Sequence, residues 1–242
     1  MIEILKKELI HFFGSLTGSM TIAVFLLITG LFMWVLPDFS ILDGLYASLD
    51  QLFSLAPIIF IFLVPAITMR TFSDERQTGN FEMLRTKPVT AAGIVFGKYF
   101  ATMILVVIAL VPTFIYYYSV YTLGSPKGNI DSGQIFGSYL GLIALASAFA
   151  ALGIFASALT KNQIVAFLGG CFLCFFFYWT FYYLSKLPVF FGKTDDFIQR
   201  LGIDYHYISM SRGVLDTRDV FYFIAFGGIA LILTLMMINR NK

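Results

Sequence analysis

Few side chains in this 242-residue sequence could do chemistry, and they are scattered. The candidates are His11 and His206, Cys171 and Cys174, and the triplet Gly192-Lys193-Thr194. The Cys-x-x-Cys spacing puts both thiols on one helix face, but redox or zinc work needs polar or exposed surroundings. Both cysteines fall inside one apolar run, where small apolar packing residues are the competing reading. The Gly-Lys-Thr triplet imitates the end of a phosphate-binding loop. The first glycine of such a loop would fall at position 187, which is Leu187, and no strand precedes it. The two histidines fall on opposite sides of the membrane once the spans are counted, so they cannot share a metal. No HExxH, GxSxG or nucleotide fingerprint occurs.

One polar stretch, 71–90, combines both charge signs with helix formers between two apolar runs. Asp74, Glu75 and Glu82 with Arg76, Arg85 and Lys87 predict a short charged helix whose far end is limited by Pro88. Phe72, Phe81, Met83 and Leu84 give it apolar anchors. A helix of this kind, projected by two spans, suits docking into a groove on a soluble protein. A solvated basic loop is the plainer reading.

These residues must be positioned by a chain built for lipid. The sequence is 59% hydrophobic and 12% charged, with a mean hydropathy of +0.84. A soluble domain carries about 25% charged residues. There is too little charge here to cover a globule, so the chain reads as an integral membrane protein. Continuous apolar runs, in place of alternating segments of roughly 10 residues, predict helices and exclude a porin-like barrel. The runs are Gly14–Leu36, Gln51–Met69, Tyr99–Gly124, Ser132–Thr160, Asn162–Ser185 and Val220–Asn239. Each meets the roughly 17–25 residues that a span needs.

The predicted organisation is one transmembrane domain over 1–242. An amphipathic interfacial helix at 1–13 precedes spans at 14–36, 51–70, 98–123, 134–159, 163–185 and 220–239. The polar loop occupies 71–90 and a long segment, with short helices dipped into the opposite leaflet, occupies 186–219. A disordered leader or signal peptide is the alternative for 1–13, but Glu3 and Glu8 spoil a basic n-region. Pro57, Pro65 and Pro112 either kink a pathway or simply shape packing. The small residues of the fourth run, from Gly141 to Ala158, predict a central helix. The aromatic fifth run reads either as an interfacial belt or as the lining of an exit for an apolar substrate.

Orientation follows from the basic residues. Lys6, Lys7, Arg70, Arg76, Arg85, Lys87, Lys98, Lys161, Arg240 and Lys242 share one side, which places both termini and the 71–90 loop in the cytoplasm. No acid or base falls inside the six runs, whereas intramembrane charges are the usual signature of proton relays and ion-coupled transport. The pattern therefore argues against an ion-driven transporter, an intramembrane protease or a redox enzyme. Energy for any transport must enter through a partner.

The loop resembles the coupling-helix region of ABC-2 type transporter permeases, whose pattern runs E-R-x-x-G-T/S-x-E-x-L-x-T/S-x-P-V/I. Glu75, Arg76, Gly79, Glu82, Leu84, Thr86, Pro88 and Val89 match it, and Asn80 departs from it. Three further stretches are similar to the same family. They are Lys7-Glu8-Leu9 through Phe13-Gly14-Ser15, Leu159 through Ala166, and His206 with Arg212-Gly213-Val214-Leu215-Asp216 and Arg218-Asp219-Val220. In overall likeness the chain is most similar to the GldF subfamily of permeases associated with gliding motility, with permeases of nitrous oxide reductase copper-site assembly as further relatives.

The resemblance implies a six-helix half-transporter in a bacterial inner membrane. A second permease subunit, identical or a paralogue, would complete the pathway, and an ABC ATP-binding subunit dimer would grip Asp74, Glu75, Arg76, Gly79, Glu82, Leu84, Thr86 and Pro88. ATP and Mg would be bound and hydrolysed by those partners, leaving this chain no enzyme and without cofactor or metal of its own. His206, Arg212, Gly213 and Asp216 would belong to an outer segment or gate. Membrane lipid and envelope or motility proteins are the remaining expected partners, and nucleic acid is not one. The competing reading from another class is a non-transporting scaffold that anchors an ATPase to an envelope or motility machine.

Overall fold

The computed structural model describes residues 1–37, 40–41, 47–80, 90–188, 192 and 194–240, and among these there is helix and no strand. The helices in chain order are α1 (Ile2–Phe13), α2 (Leu16–Trp34), α3 (Asp50–Thr68), α4 (Arg70–Gln77) and α5 (Ala91–Leu110). A 3-10 turn (Val111–Thr113) leads into α6 (Phe114–Leu123), followed by α7 (Ser132–Leu159) and α8 (Gln163–Ser185). The short α9 (Asp195–Arg200) and α10 (Ile203–Ser211) precede α11 (Thr217–Arg240). Among the described residues, six helical stretches are long and apolar enough to cross a membrane: α2, α3 running on through α4, α5 with α6, α7, α8 and α11. The protein is an all-helical, multi-pass membrane protein.

Polar side chains fix where the long helices begin. Ser15 accepts from the Gly18 amide before α2, Thr90 from Gly93 before α5, Asp131 from Gly133 and Gln134 before α7, and Asn162 from Ile164 before α8. Each cap satisfies an amide that the first turn leaves without an intrahelical acceptor.

The small-residue helix α7 is the centre of the bundle. In its most apolar window 72% of residues are buried, against 22% for α2 and for α8, so the latter two form the periphery. Close approach explains the composition. A Cβ on Gly153 would lie 2.1 Å from Thr68 Oγ1, so α3 can pack at this depth only against a residue without a side chain.

The prolines act differently from one another. Pro57 and Pro65 sit inside an unbroken α3. Pro57 cannot donate to the Phe53 carbonyl, and the Tyr207 hydroxyl from α10 donates to that carbonyl instead, at 2.5 Å. Pro112 coincides with the 3-10 turn that divides the third span.

Two boundaries differ from expectation. The third span was predicted from residue 98, but its helix begins at Ala91, capped by Thr90, so Lys98 lies two turns inside it. The last helix starts at Thr217, three residues early, and takes in Arg218 and Asp219. The expectation that no acid or base lies within a spanning helix is therefore corrected. The run of apolar residues starts after these charges, but the helix starts before them because its cap does.

Candidate functional site

The end of the bundle that carries α4 holds two buried charged side chains, Glu75 and Lys98. α3 stops at Thr68, and after the joint at Met69 the chain continues into α4. That joint is held by Ser157 of α7, whose hydroxyl accepts from the Phe72 and Ser73 amides at 3.0 and 3.1 Å and donates to the Met69 carbonyl at 3.0 Å. The start of α4 is thereby fixed to the central helix. At its other end Gly79 adopts φ +74°, a left-handed conformation in which glycine avoids the Cβ penalty, and α4 terminates.

Beneath α4 the Lys98 side chain is fully buried. Its Nζ lies 2.7 Å from Glu8 Oε1 of α1 and 3.0 Å from Glu75 Oε1 of α4, and it donates to the Thr71 carbonyl. Two of the three ammonium donors are used in hydrogen bonds to Glu8 and Thr71, and Glu75 adds an ion pair. The Phe72 ring lies 5.0 Å from the same nitrogen, within cation–π range. Lys7 of α1 adds a second cation at 2.6 Å from Glu75 Oε1. Burial alone would lower the Lys7 ammonium's value, but its hydrogen bond to Glu75 and the charges of Glu75, Glu8 and Asp74 outweigh it and hold it above the ordinary 10.5. Two cations and two anions thus neutralise one another where α1, α4 and α5 meet.

A second chain of polar contacts crosses the rim. Arg70 donates to Thr17 Oγ1 of α2 at 2.6 Å and to Gln163 Oε1 of α8 at 3.2 Å. Gln163 donates in turn to Asp74 Oδ1 at 2.9 Å, and His11 Nε2 lies 3.8 Å from Asp74 Oδ2. Through the Ser157 joint and these two networks α4 is tied to α1, α2, α5, α7 and α8. A rigid displacement of α4 must move them or break buried polar contacts.

The site residues read from the sequence divide into three groups. Asp74 and Glu75 face into these networks, and Glu75 is buried, so its carboxylate joins helices together and is not presented to solvent. Arg76 is half-buried and Gly79 exposed. Glu82, Leu84, Thr86 and Pro88 lie outside the described residues. Sequence reading missed the roles of Lys98, Lys7, Glu8, Arg70, Gln163 and Ser157. Lys98 carried a signal that went unused: it is the only charge in Ala91–Leu110, and a lone cation inside an apolar helix needs a buried partner.

At the opposite end of the bundle, α10 and the start of α11 form the second polar region. His206 is buried, with Nδ1 2.7 Å from Asp219 Oδ1 and Nε2 2.9 Å from the Arg200 carbonyl, and its ring stacks on Tyr222 at 3.9 Å. Both ring nitrogens lie within hydrogen-bond distance of an oxygen, so the imidazole is held from two sides. Gly213 has φ +80°, and a Cβ there would lie 2.5 Å from Gln134 Cα. It ends α10 against α7. Asp216 Oδ1 accepts from the Arg218 amide at 3.0 Å at the start of α11, and Arg212 is exposed. Burial pushes the Asp204 carboxyl up from 3.8, against the opposing hydrogen bond from Tyr178.

His11, on α1, faces Asp74, whereas His206, on α10, faces Asp219 at the opposite end of the bundle. Among the described residues no group of three His, Cys, Asp or Glu could hold a metal ion. Cys174 is buried and meets the Phe149 carbonyl at 4.0 Å, a packing contact between α7 and α8. On the far side of α8, Phe172, Phe175, Phe176 and Tyr183 are exposed on the outside of the bundle.

Comparison with family models matches residues 39–238 to a family described as ABC-2 family transporter protein. No curated protein matches the sequence.

Proposed function

Because the chain belongs to the ABC-2 family of transporter membrane proteins, a family of membrane subunits, we propose that it is a permease powered by separate ATP-binding subunits docked at α4. The observation that carries this reading is the threefold anchorage of α4. A motor pushing on a surface helix moves the spans only if that helix is tied to them, and the Lys98 cluster, the Ser157 joint and the Arg70–Gln163 bridge supply the ties. Arg76 and Gly79, with Glu82, Leu84, Thr86 and Pro88 beyond, would form the docking face. Asp74 and Glu75 would pass displacement inward. ATP and Mg would be handled by the partners.

A second permease subunit fits the two least buried spans. α2 and α8 flank an apolar groove of about 380 Å³ lined by Val24, Phe25, Ile28 and Phe62, with Phe167 of α8 at its edge. A bacterial inner-membrane location with α4 and both termini cytoplasmic is supported by the basic residues collected at that end. A place in a gliding-motility machine is the narrower reading, which the neighbouring genes would test.

The direct experiment is co-expression with candidate ABC ATP-binding subunits, comparing wild type with Arg76→Ala/Glu82→Ala. Loss of co-purification with normal membrane insertion is expected. Unchanged co-purification removes the docking role of this face. Substrate-stimulated ATPase activity in proteoliposomes then separates a transporter from a scaffold, which predicts none.

A further inference from the structure

At the end opposite α4, a cleft of about 610 Å³ opens between α9, α10 and the start of α11. Three guanidinium groups line it, Arg200, Arg212 and Arg218, and all three residues are exposed. None pairs with a carboxylate among the described residues. Of the acids on the same wall, Asp219 is buried with one oxygen on His206, and Asp216 accepts from the Arg218 amide through one oxygen. Tyr205 and Ser209 add hydroxyls to the lining.

Three arginines lining one cleft, with no carboxylate ion pair among the described residues, make an anion site by charge and by shape. The guanidinium fork matches the oxygens of phosphate with paired hydrogen bonds. With Asp216 and Asp219 counted against the three arginines, the lining keeps a surplus of one positive charge, which a phosphodiester would neutralise. The surroundings indicate how that phosphate arrives. Phe197, Leu201, Val214 and Leu215 are exposed beside the cleft, on short helices and turns at the end of the spans. Large apolar side chains bordering cations are the pattern of a surface seated at lipid headgroup level.

We propose that this cleft binds a phosphate group, presented by an anionic phospholipid whose acyl chains lie along the apolar rim. The site is independent of the ATP-binding partner and stands or falls without it.

The test uses the full-length chain in a neutral detergent, titrated with dioleoylphosphatidylglycerol, with dioleoylphosphatidylcholine and with inorganic phosphate, binding being read by native mass spectrometry and tryptophan fluorescence. Phosphatidylglycerol is expected to bind and phosphatidylcholine to bind more weakly. Each of Arg200→Gln, Arg212→Gln and Arg218→Gln should weaken phosphatidylglycerol about fivefold, and the triple variant should abolish specific binding. Arg→Lys variants should retain charge but recover only part of the affinity. Lys161→Gln, at the other end of the bundle, should change nothing. Inorganic phosphate binding as tightly, with the same arginine dependence, supports the phosphate site and transfers its source to a soluble phosphate. Equal retention of both lipids, or undiminished binding in the single variants with unchanged melting, overturns the proposal.

Discussion

Lys98→Met tests whether the buried charge cluster is an obligatory tie between α4 and the spans. Methionine keeps much of the length and apolar character of the lysine stem and removes the ammonium. Glu8 Oε1 and Glu75 Oε1, held at 2.7 and 3.0 Å from that nitrogen, then lie at most about 5.7 Å apart with only the half-exposed Lys7 nearby. At an effective dielectric of about 20 their repulsion is roughly 3 kcal/mol. Removing one partner of a buried ion pair costs about 3–5 kcal/mol by independent measure, so the two estimates agree. The assay is chemical unfolding of the detergent-solubilised protein for wild type, Lys98→Met, Glu75→Gln and the double variant. The single lysine variant should lose about 3–5 kcal/mol. The double variant should recover about 1–3 kcal/mol of the summed single losses, since neutralising Glu75 removes the repulsion. A Lys98→Met loss below about 1 kcal/mol, or strict additivity in the cycle, would refute the reasoning.

Three other variants probe single contacts. Ser157→Ala leaves two amides at the start of α4 without an acceptor and should cost about 1–3 kcal/mol, with faster hydrogen exchange confined to Phe72 and Ser73. Tyr207→Phe strips the Phe53 carbonyl of its donor and should cost about 1–3 kcal/mol, while adding Pro57→Ala restores an intrahelical donor and most of the stability. Recovery is read by melting temperature, and no recovery would mean that the proline-freed carbonyl is not the reason for the hydroxyl. Asp204 is raised by burial, so between 3.8 and its folded value the native state binds the extra proton and stability falls as pH rises. Asp204→Asn should therefore be more stable than wild type at pH 7, with the gain vanishing near pH 3.8, as followed by unfolding at several pH values.

What the sequence determined by itself was the solvent and the scale. Too few charges for water, and apolar runs of span length, require helices in lipid, because backbone groups there need partners within the same segment. Small residues identified α7 as central for the same reason that Gly153 must admit Thr68. The charged residues of 71–90 marked a polar helix, but its end was expected at Pro88, whereas α4 ends at Gln77 just before Gly79 with its left-handed φ of +74°. The direction of each charge was decided only in three dimensions. Glu75 and Arg76 are adjacent in the chain, yet Glu75 is buried against Lys98 and Arg76 is half-buried. Lys98 reads as one more basic residue beside a span, but a cap at Thr90 carries its helix seven residues earlier and puts the ammonium inside. Ser157, Gln163 and Tyr207 lie 84 or more residues from the groups they satisfy, apart from nearer neighbours, and no local pattern announces such a pairing. Hydropathy is a property of each segment, whereas ion pairing across helices depends on which segments the bundle brings together.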